Sequence, residues 1–260
     1  MIRLQCIAVF FFLFSSSCAW TQQIVNKTLK IDGITREYLV YLPSDFDKSE
    51  SIPALFCFHG GDMYAESMMR NTADFRPLAN ANKFIAVYPQ GLITDSKGGR
   101  STTWNNKGPY DNGTDEIGFA ESMIDSLVED YSVDPDRIYA CGFSLGGNLM
   151  WDYASLLGNR FAAIASVAAS MWEWTLKSCS TRDRTGILSI HGTNDLQPDD
   201  LLVFSSALSP CSCTGLARPA FALVEAPGAA EARTGGRMGS PSDERHRETG
   251  YTSVGAKQVW

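Results

Sequence analysis

The stretch Cys141-Gly142-Phe143-Ser144-Leu145-Gly146-Gly147 decides how this chain is read. It follows Arg137-Ile138-Tyr139-Ala140 and precedes the apolar Leu149-Met150-Trp151, so it reads as strand, sharp turn, helix. That order puts Ser144 on the turn. A serine held there needs a strained backbone, and the crowded positions two before and two after it must lack a side chain. Gly142 and Gly146 meet that need. The following helix lends its N-terminus, and the Leu145 N–H, to charge developing on a substrate oxygen. The five-residue pattern alone arises by chance in roughly one chain in ten of this size. Its weight comes from the strand before it and the helix after it; the plain alternative is a turn with an idle serine.

Upstream, residues 26–43 alternate around Asp32-Gly33, the signal of a two-strand hairpin at a sheet edge. The apolar run Ile52-Pro53-Ala54-Leu55-Phe56-Cys57-Phe58 suits a strand buried on both faces and ends in His59-Gly60-Gly61-Asp62. Two glycines there let the backbone turn tightly and point N–H groups outward, at Gly61 and Asp62, as the second half of an oxyanion hole. His59 lies on that side and precedes the serine, so a structural role suits it better than that of a base. Residues 67–83 read as a helix broken locally at Pro77, and 84–88 as another buried strand. Residues 97–113 read as a polar, glycine-rich loop beside the site, carrying Trp104 as either a cleft residue or a cover for the core edge. Residues 115–131 have helical spacing with acidic residues at the start, including Asp115. Val133-Asp134-Pro135-Asp136 reads as a turn, 161–171 as a strand and 186–190 as a further strand ending in His191-Gly192-Thr193-Asn194-Asp195. Strands alternating with helices imply an α/β architecture with a parallel sheet and right-handed crossovers.

The formal charge of -7 argues against nucleic acid, whose phosphates need a basic face. Arg3, the apolar run 7–14 and Ser15-Ser16-Ser17-Cys18-Ala19 read as a secretory signal, residues 1–19, with export as the consequence. A lipid anchor at Cys18 is the minor alternative, since Ser15 stands where such sites usually hold an aliphatic residue. The run is too short to span a bilayer. Of seven cysteines, Cys6 and Cys18 fall in the leader, leaving Cys57, Cys141, Cys179, Cys211 and Cys213. An odd number leaves one thiol unpaired, and Cys57 and Cys141 read as buried free thiols. No spacing suits a metal, and no cofactor is expected. Asn26-Lys27-Thr28 and Asn112-Gly113-Thr114 are glycosylation acceptors only in a host that glycosylates.

Several motifs together resemble the secreted α/β-hydrolase esterases that include polyhydroxybutyrate depolymerases and feruloyl esterases. They are His59-Gly60-Gly61; Val87-Tyr88-Pro89-Gln90-Gly91; Trp104-Asn105 with Asp115-Glu116-Ile117-Gly118-Phe119; Asp134-Pro135-Asp136-Arg137-Ile138-Tyr139 running into the Ser144 turn; and His191-Gly192-Thr193-Asn194-Asp195. The resemblance covers about residues 24–195. It implies an α/β-hydrolase fold, a mostly parallel sheet with helices on both faces, over a core of residues 20–196. It also implies Ser144 as nucleophile, Asp195 as the acid orienting a histidine, and Leu145 with Gly61 or Asp62 as oxyanion donors. Trp104 and Asp115 match substrate-side positions. The reaction implied is ester hydrolysis through an acyl-enzyme without cofactor or metal, on a small-molecule or polymeric ester.

The resemblance stops where a histidine is due. From Gln197 arginine displaces lysine, Ala, Pro and Gly accumulate, and neither period is visible beyond 201–208 and 221–224. Residues 197–260 therefore read as a disordered or frame-shifted tail, leaving the fold incomplete at its C-terminal end. His246, in Asp243-Glu244-Arg245-His246-Arg247-Glu248, has the right place in the chain order for a base but a charged setting more typical of an exposed side chain. The expectation is a serine esterase impaired by loss of its histidine. The alternative is a non-catalytic relative that keeps the fold for binding. A serine peptidase of this fold is a third reading, though such enzymes often carry a propeller domain for which this length leaves no room.

Overall fold

β1 (Gln23–Ile31) and β2 (Ile34–Leu42) pair antiparallel in the register Ile31↔Ile34 to Gln23↔Leu42. The turn between them is Asp32-Gly33, both at positive φ (49° and 82°), the conformation whose twist matches a hairpin. The computed structural model describes residues 23–96, 99–106, 113–172, 175, 185–192 and 220–224. The signal at 1–19, Cys179, Cys211, Cys213, Asp195 and His246 lie outside them.

After the hairpin come β3 (Ile52–Phe58), α1 (Ala65–Ser67) running into a π turn at Met68–Thr72, α2 (Arg76–Asn82) and β4 (Ile85–Pro89). A separate hairpin, β5 (Leu92–Ser96) and β6 (Gly99–Thr103), precedes α3 (Glu116–Tyr131), β7 (Val133–Phe143) and α4 (Leu145–Leu156). A 3-10 turn at Gly158–Arg160, β8 (Ala163–Val167), β9 (Gly186–Gly192) and β10 (Ala220–Val224) follow. The main sheet runs β1-β2-β4-β3-β7-β8-β9-β10, antiparallel through β2/β4 and parallel from there on.

Alternation along β3 sends its side chains into two cores. Phe56 and Phe58 join the cluster filled by Phe119, Met123, Leu149, Met150 and Tyr153 of α3 and α4. Cys57 joins the one filled by Met68, Met69 and Ala79 on the opposite face. Helices on both faces of a mostly parallel sheet are the architecture the motifs implied. No helix among the described residues is long and apolar enough to cross a membrane.

Four expectations change. The single helix over 67–83 is two pieces, because Pro77, lacking an N–H and clashing with the carbonyl four back, fits only in a first turn, here that of α2. The loop over 97–113 holds β6, whose Thr102 carbonyl accepts the Asp62 N–H at 2.9 Å. The 133–136 turn is absorbed into β7, where the register against β3 jumps from Ile52↔Val133 to Ala54↔Ile138, and the 161–171 strand shrinks to β8. β10, which falls on the 221–224 run singled out in the sequence, pairs with β9 in parallel from Ala220↔Leu188 to Val224↔Gly192. The sheet thus reaches past residue 196.

Candidate active site

Ser144 stands between the last residue of β7 and the first of α4 with φ 51° and ψ -117°. For a residue with a Cβ that conformation is strained, costing on the order of 1–3 kcal/mol, and it persists only where neighbours over-determine it. The neighbours are the two glycines. A Cβ on Gly142 would lie 2.1 Å from the Gly146 carbonyl oxygen, and one on Gly146 would lie 2.6 Å from the oxygens of both Phe58 and His59. The turn is therefore closed on itself and against the end of β3. Ser144 N–H donates to Val167 O at 2.9 Å, tying the elbow to β8. Leu145 N–H is one of the first four of a helix, which lack an intrahelical acceptor.

The loop after β3 faces this turn. A Cβ on Gly60 would sit 3.4 Å from Ser144 Cβ, and one on Gly61 3.7 Å from Leu145 Cδ2. Gly61 N–H has no partner among the described residues. Asp62, expected beside it as a donor, is corrected: its N–H is bonded to Thr102 O, and its carboxylate accepts Ser101 Oγ at 2.6 Å. The β5–β6 hairpin thus clamps the loop, leaving Gly61 N–H to accompany Leu145 N–H.

His59 is fully buried. Its Nε2 accepts the Gly91 N–H at 2.9 Å, so Nδ1 carries the proton and donates to Gly60 O at 2.7 Å. Burial, and secondarily the Arg36 charge, pulls its pKa down to about 4. A neutral ring bonded at both nitrogens is a brace for the Gly60–Gly61 loop. His191 is also buried, at the end of β9, with Nε2 2.9 Å from Ser189 Oγ.

Trp104, expected on the substrate side, is corrected to a framework residue. It is 3% exposed, its indole N–H donates to His59 O at 2.7 Å, and its ring lies 4.7 Å from the imidazole. Asp115 caps α3 by accepting Gly118 N–H at 2.9 Å, again a structural use of the side chain. Sequence reasoning passed over the residues beneath them. Arg36 and Glu116, 80 positions apart, form a buried ion pair at 2.8 Å. The second Glu116 oxygen accepts Asn105 N–H and Thr114 Oγ1, and the Arg36 guanidinium stacks 4.3 Å from the Phe119 ring centre. Buried charges at a loop junction are the signal that could have found them, since such groups survive only when paired. Beside the loop, an open groove of about 560 Å³ is lined by Tyr64, Glu66, Glu37, Gln90, Ile93 and Arg100 among others. No metal-binding cluster occurs among the described residues.

Comparison with known proteins bears on this geometry. The family model described as the prolyl oligopeptidase family matches residues 76–185. A bifunctional acetylxylan esterase/xylanase of Neocallimastix patriciarum is 28% identical over 171 residues, covering 66% of this chain and 23% of that protein. A probable feruloyl esterase C of Aspergillus clavatus is 26% identical over 187 residues, 70% of this chain and 61% of that one. The chain thus spans less than two thirds of either relative. A solved ferulic acid esterase superposes with a TM-score of 0.58 at 17% identity, over 80% of this chain and 91% of that one, which is likeness of fold. Fold and relatives agree: this chain has the α/β-hydrolase fold and is similar in sequence to feruloyl and acetylxylan esterases.

Proposed function

We propose that the chain is a secreted serine esterase that cleaves carboxylic esters through an acyl-enzyme on Ser144. The observation carrying this reading is the strained φ of 51° at Ser144, held by Gly142 and Gly146 beside an oxyanion loop. Ser144 Oγ attacks the ester carbonyl, and Leu145 N–H and Gly61 N–H receive the oxygen that gains charge. The alcohol leaves, and water repeats the attack on the acyl-enzyme. Asp195, three residues beyond the end of β9 in the sequence, serves as the orienting acid. Feruloyl-type aryl esters and polyhydroxyalkanoate-type polyesters are the substrate classes.

The base limits the chain as written. It has three histidines. His59 is bonded at both nitrogens and His191 is buried against Ser189, which leaves His246 as the one the chain order offers. A serine at its free pKa is a weak nucleophile, and loss of the histidine of a serine triad costs about a million-fold in kcat in the subtilisin case. We therefore expect little turnover from this chain and restored turnover when residues 197–260 are replaced by a strand and a Gly-His-Trp loop. A non-catalytic binding role is the second reading, favoured by the commitment of both described histidines. Hydrolysis of p-nitrophenyl acetate and methyl ferulate by the chain, by Ser144→Ala and by His246→Ala tests both. Strong turnover lost in both variants makes His246 the base and refutes the impairment; turnover untouched by Ser144→Ala refutes the esterase site itself.

A further inference from the structure

β3 and β7 lie side by side and in parallel, and Cys57 and Cys141 are direct partners in their register. Neighbouring strands are about 4.8 Å apart, and disulfides span Cα separations of roughly 4.4–6.8 Å. In-register residues on adjacent parallel strands point to the same face, and both cysteines belong to the cluster on the α1–α2 side of the sheet. Each is a free thiol. Burial first, and then the hydrogen bond that the protonated Cys57 thiol makes to the neighbouring Cys141 sulfur, push the Cys57 thiol up.

Their place in the fold is specific. Cys57 lies two residues before His59, at the root of the oxyanion loop, and Cys141 three residues before Ser144. The two strands so joined carry the two halves of the site. Access is uneven: Cys57 is fully buried, whereas Cys141 is partly exposed, between Tyr139 at 38% and the half-buried Phe143 on the same face of β7.

We propose that Cys57 and Cys141 are a redox-active dithiol beneath the nucleophile turn, closed to a disulfide by small-molecule disulfides and reopened by thiols. The Cys141 thiolate attacks one sulfur of the small disulfide, breaking its S–S bond and releasing one small thiolate. The Cys57 thiol gives up its proton and attacks Cys141 Sγ, forming the cross-strand bond and releasing the second. The protein loses two electrons, the small disulfide gains them, and both thiol protons end on the small thiols. The burial that keeps Cys57 protonated makes this second step the slow one.

The test uses the reduced full chain exposed to oxidised glutathione, quenched with an alkylating agent in denaturant and digested. A peptide joining Cys57 to Cys141, separated again by dithiothreitol, is the expected result. Recovery of both as alkylated thiols, a glutathione adduct on Cys141 alone, or pairing of either with Cys179, Cys211 or Cys213 overturns the proposal. Cys57→Ala should stop the reaction at the glutathione adduct on Cys141. Closure should also slow fluorophosphonate labelling of Ser144 about tenfold, because displacement at a reacting centre is costly, and dithiothreitol should restore it. Unchanged labelling refutes the coupling to Ser144. That readout rests on the esterase reading, whereas the joined peptide does not, so the two fail separately.

Discussion

Lowering the pH should weaken this fold through His59 by an amount that can be worked out. The ordinary imidazole value is 6.5, and burial brings that of His59 down to about 4. The folded state therefore keeps the ring neutral while the unfolded chain takes up a proton as pH falls through 6.5. Stability is unaffected above that value and declines between 6.5 and 4. Between pH 7 and pH 5 the linkage amounts to about 2 kcal/mol, and it approaches about 3 kcal/mol below pH 4. Urea unfolding at pH 7, 6 and 5 measures it, with His59→Gln as the reference. The variant should be less stable at pH 7, having lost the ring against Trp104, but should fall about 2 kcal/mol less on acidification. Carboxylates titrate alike in both proteins, so the difference isolates the ring. Equal declines in the two would refute the neutral brace and reopen His59 as a proton carrier.

Arg36→Met should cost about 3–5 kcal/mol by stranding buried Glu116, a drop in melting temperature of roughly 6–20 °C at 2–4 °C per kcal/mol; adding Glu116→Gln should recover part of it. Gly146→Ala places a Cβ 2.6 Å from two backbone oxygens and should cost at least about 1–3 kcal/mol together with Ser144 labelling. Gly61→Ala meets only a leucine methyl at 3.7 Å and should unfold within about 0.5 kcal/mol of the parent.

The contrast between what was legible in the sequence and what was not follows the range of the interactions. The β1–β2 turn was legible because Asp32-Gly33 encodes its own positive φ, and the elbow because its glycines clash only with residues near in the chain or with the end of one strand. The β5–β6 hairpin was not, because Leu92–Ser96 and Gly99–Thr103 carry little apolar alternation; it is held by backbone bonding to the Asp62 loop. The same bond removed Asp62 from the donors. Trp104 was ambiguous in sequence because its fate depends on a carbonyl 45 residues away. The place of β10 was illegible for another reason: Ala220–Val224 is a five-residue run whose partner lies across a long connection.

The placement of β3 between β4 and β7 has a consequence for synthesis. As the chain leaves a ribosome, β3 appears early, β4 some thirty residues later, and β7 only after about eighty. Until Gly146 arrives to press on the Phe58 and His59 carbonyls, the path of the His59–Asp62 segment rests on its bonds to Gly91, Thr102 and Trp104. Pairings of such long separation form late, since loop closure precedes any reward from the contact. The first third of the molecule must therefore wait, with an apolar strand lacking its neighbour, for the residues that close the turn against it. Slow codons placed before β7 would lengthen that wait, and soluble yield would register the exposure before any assay of the finished protein could.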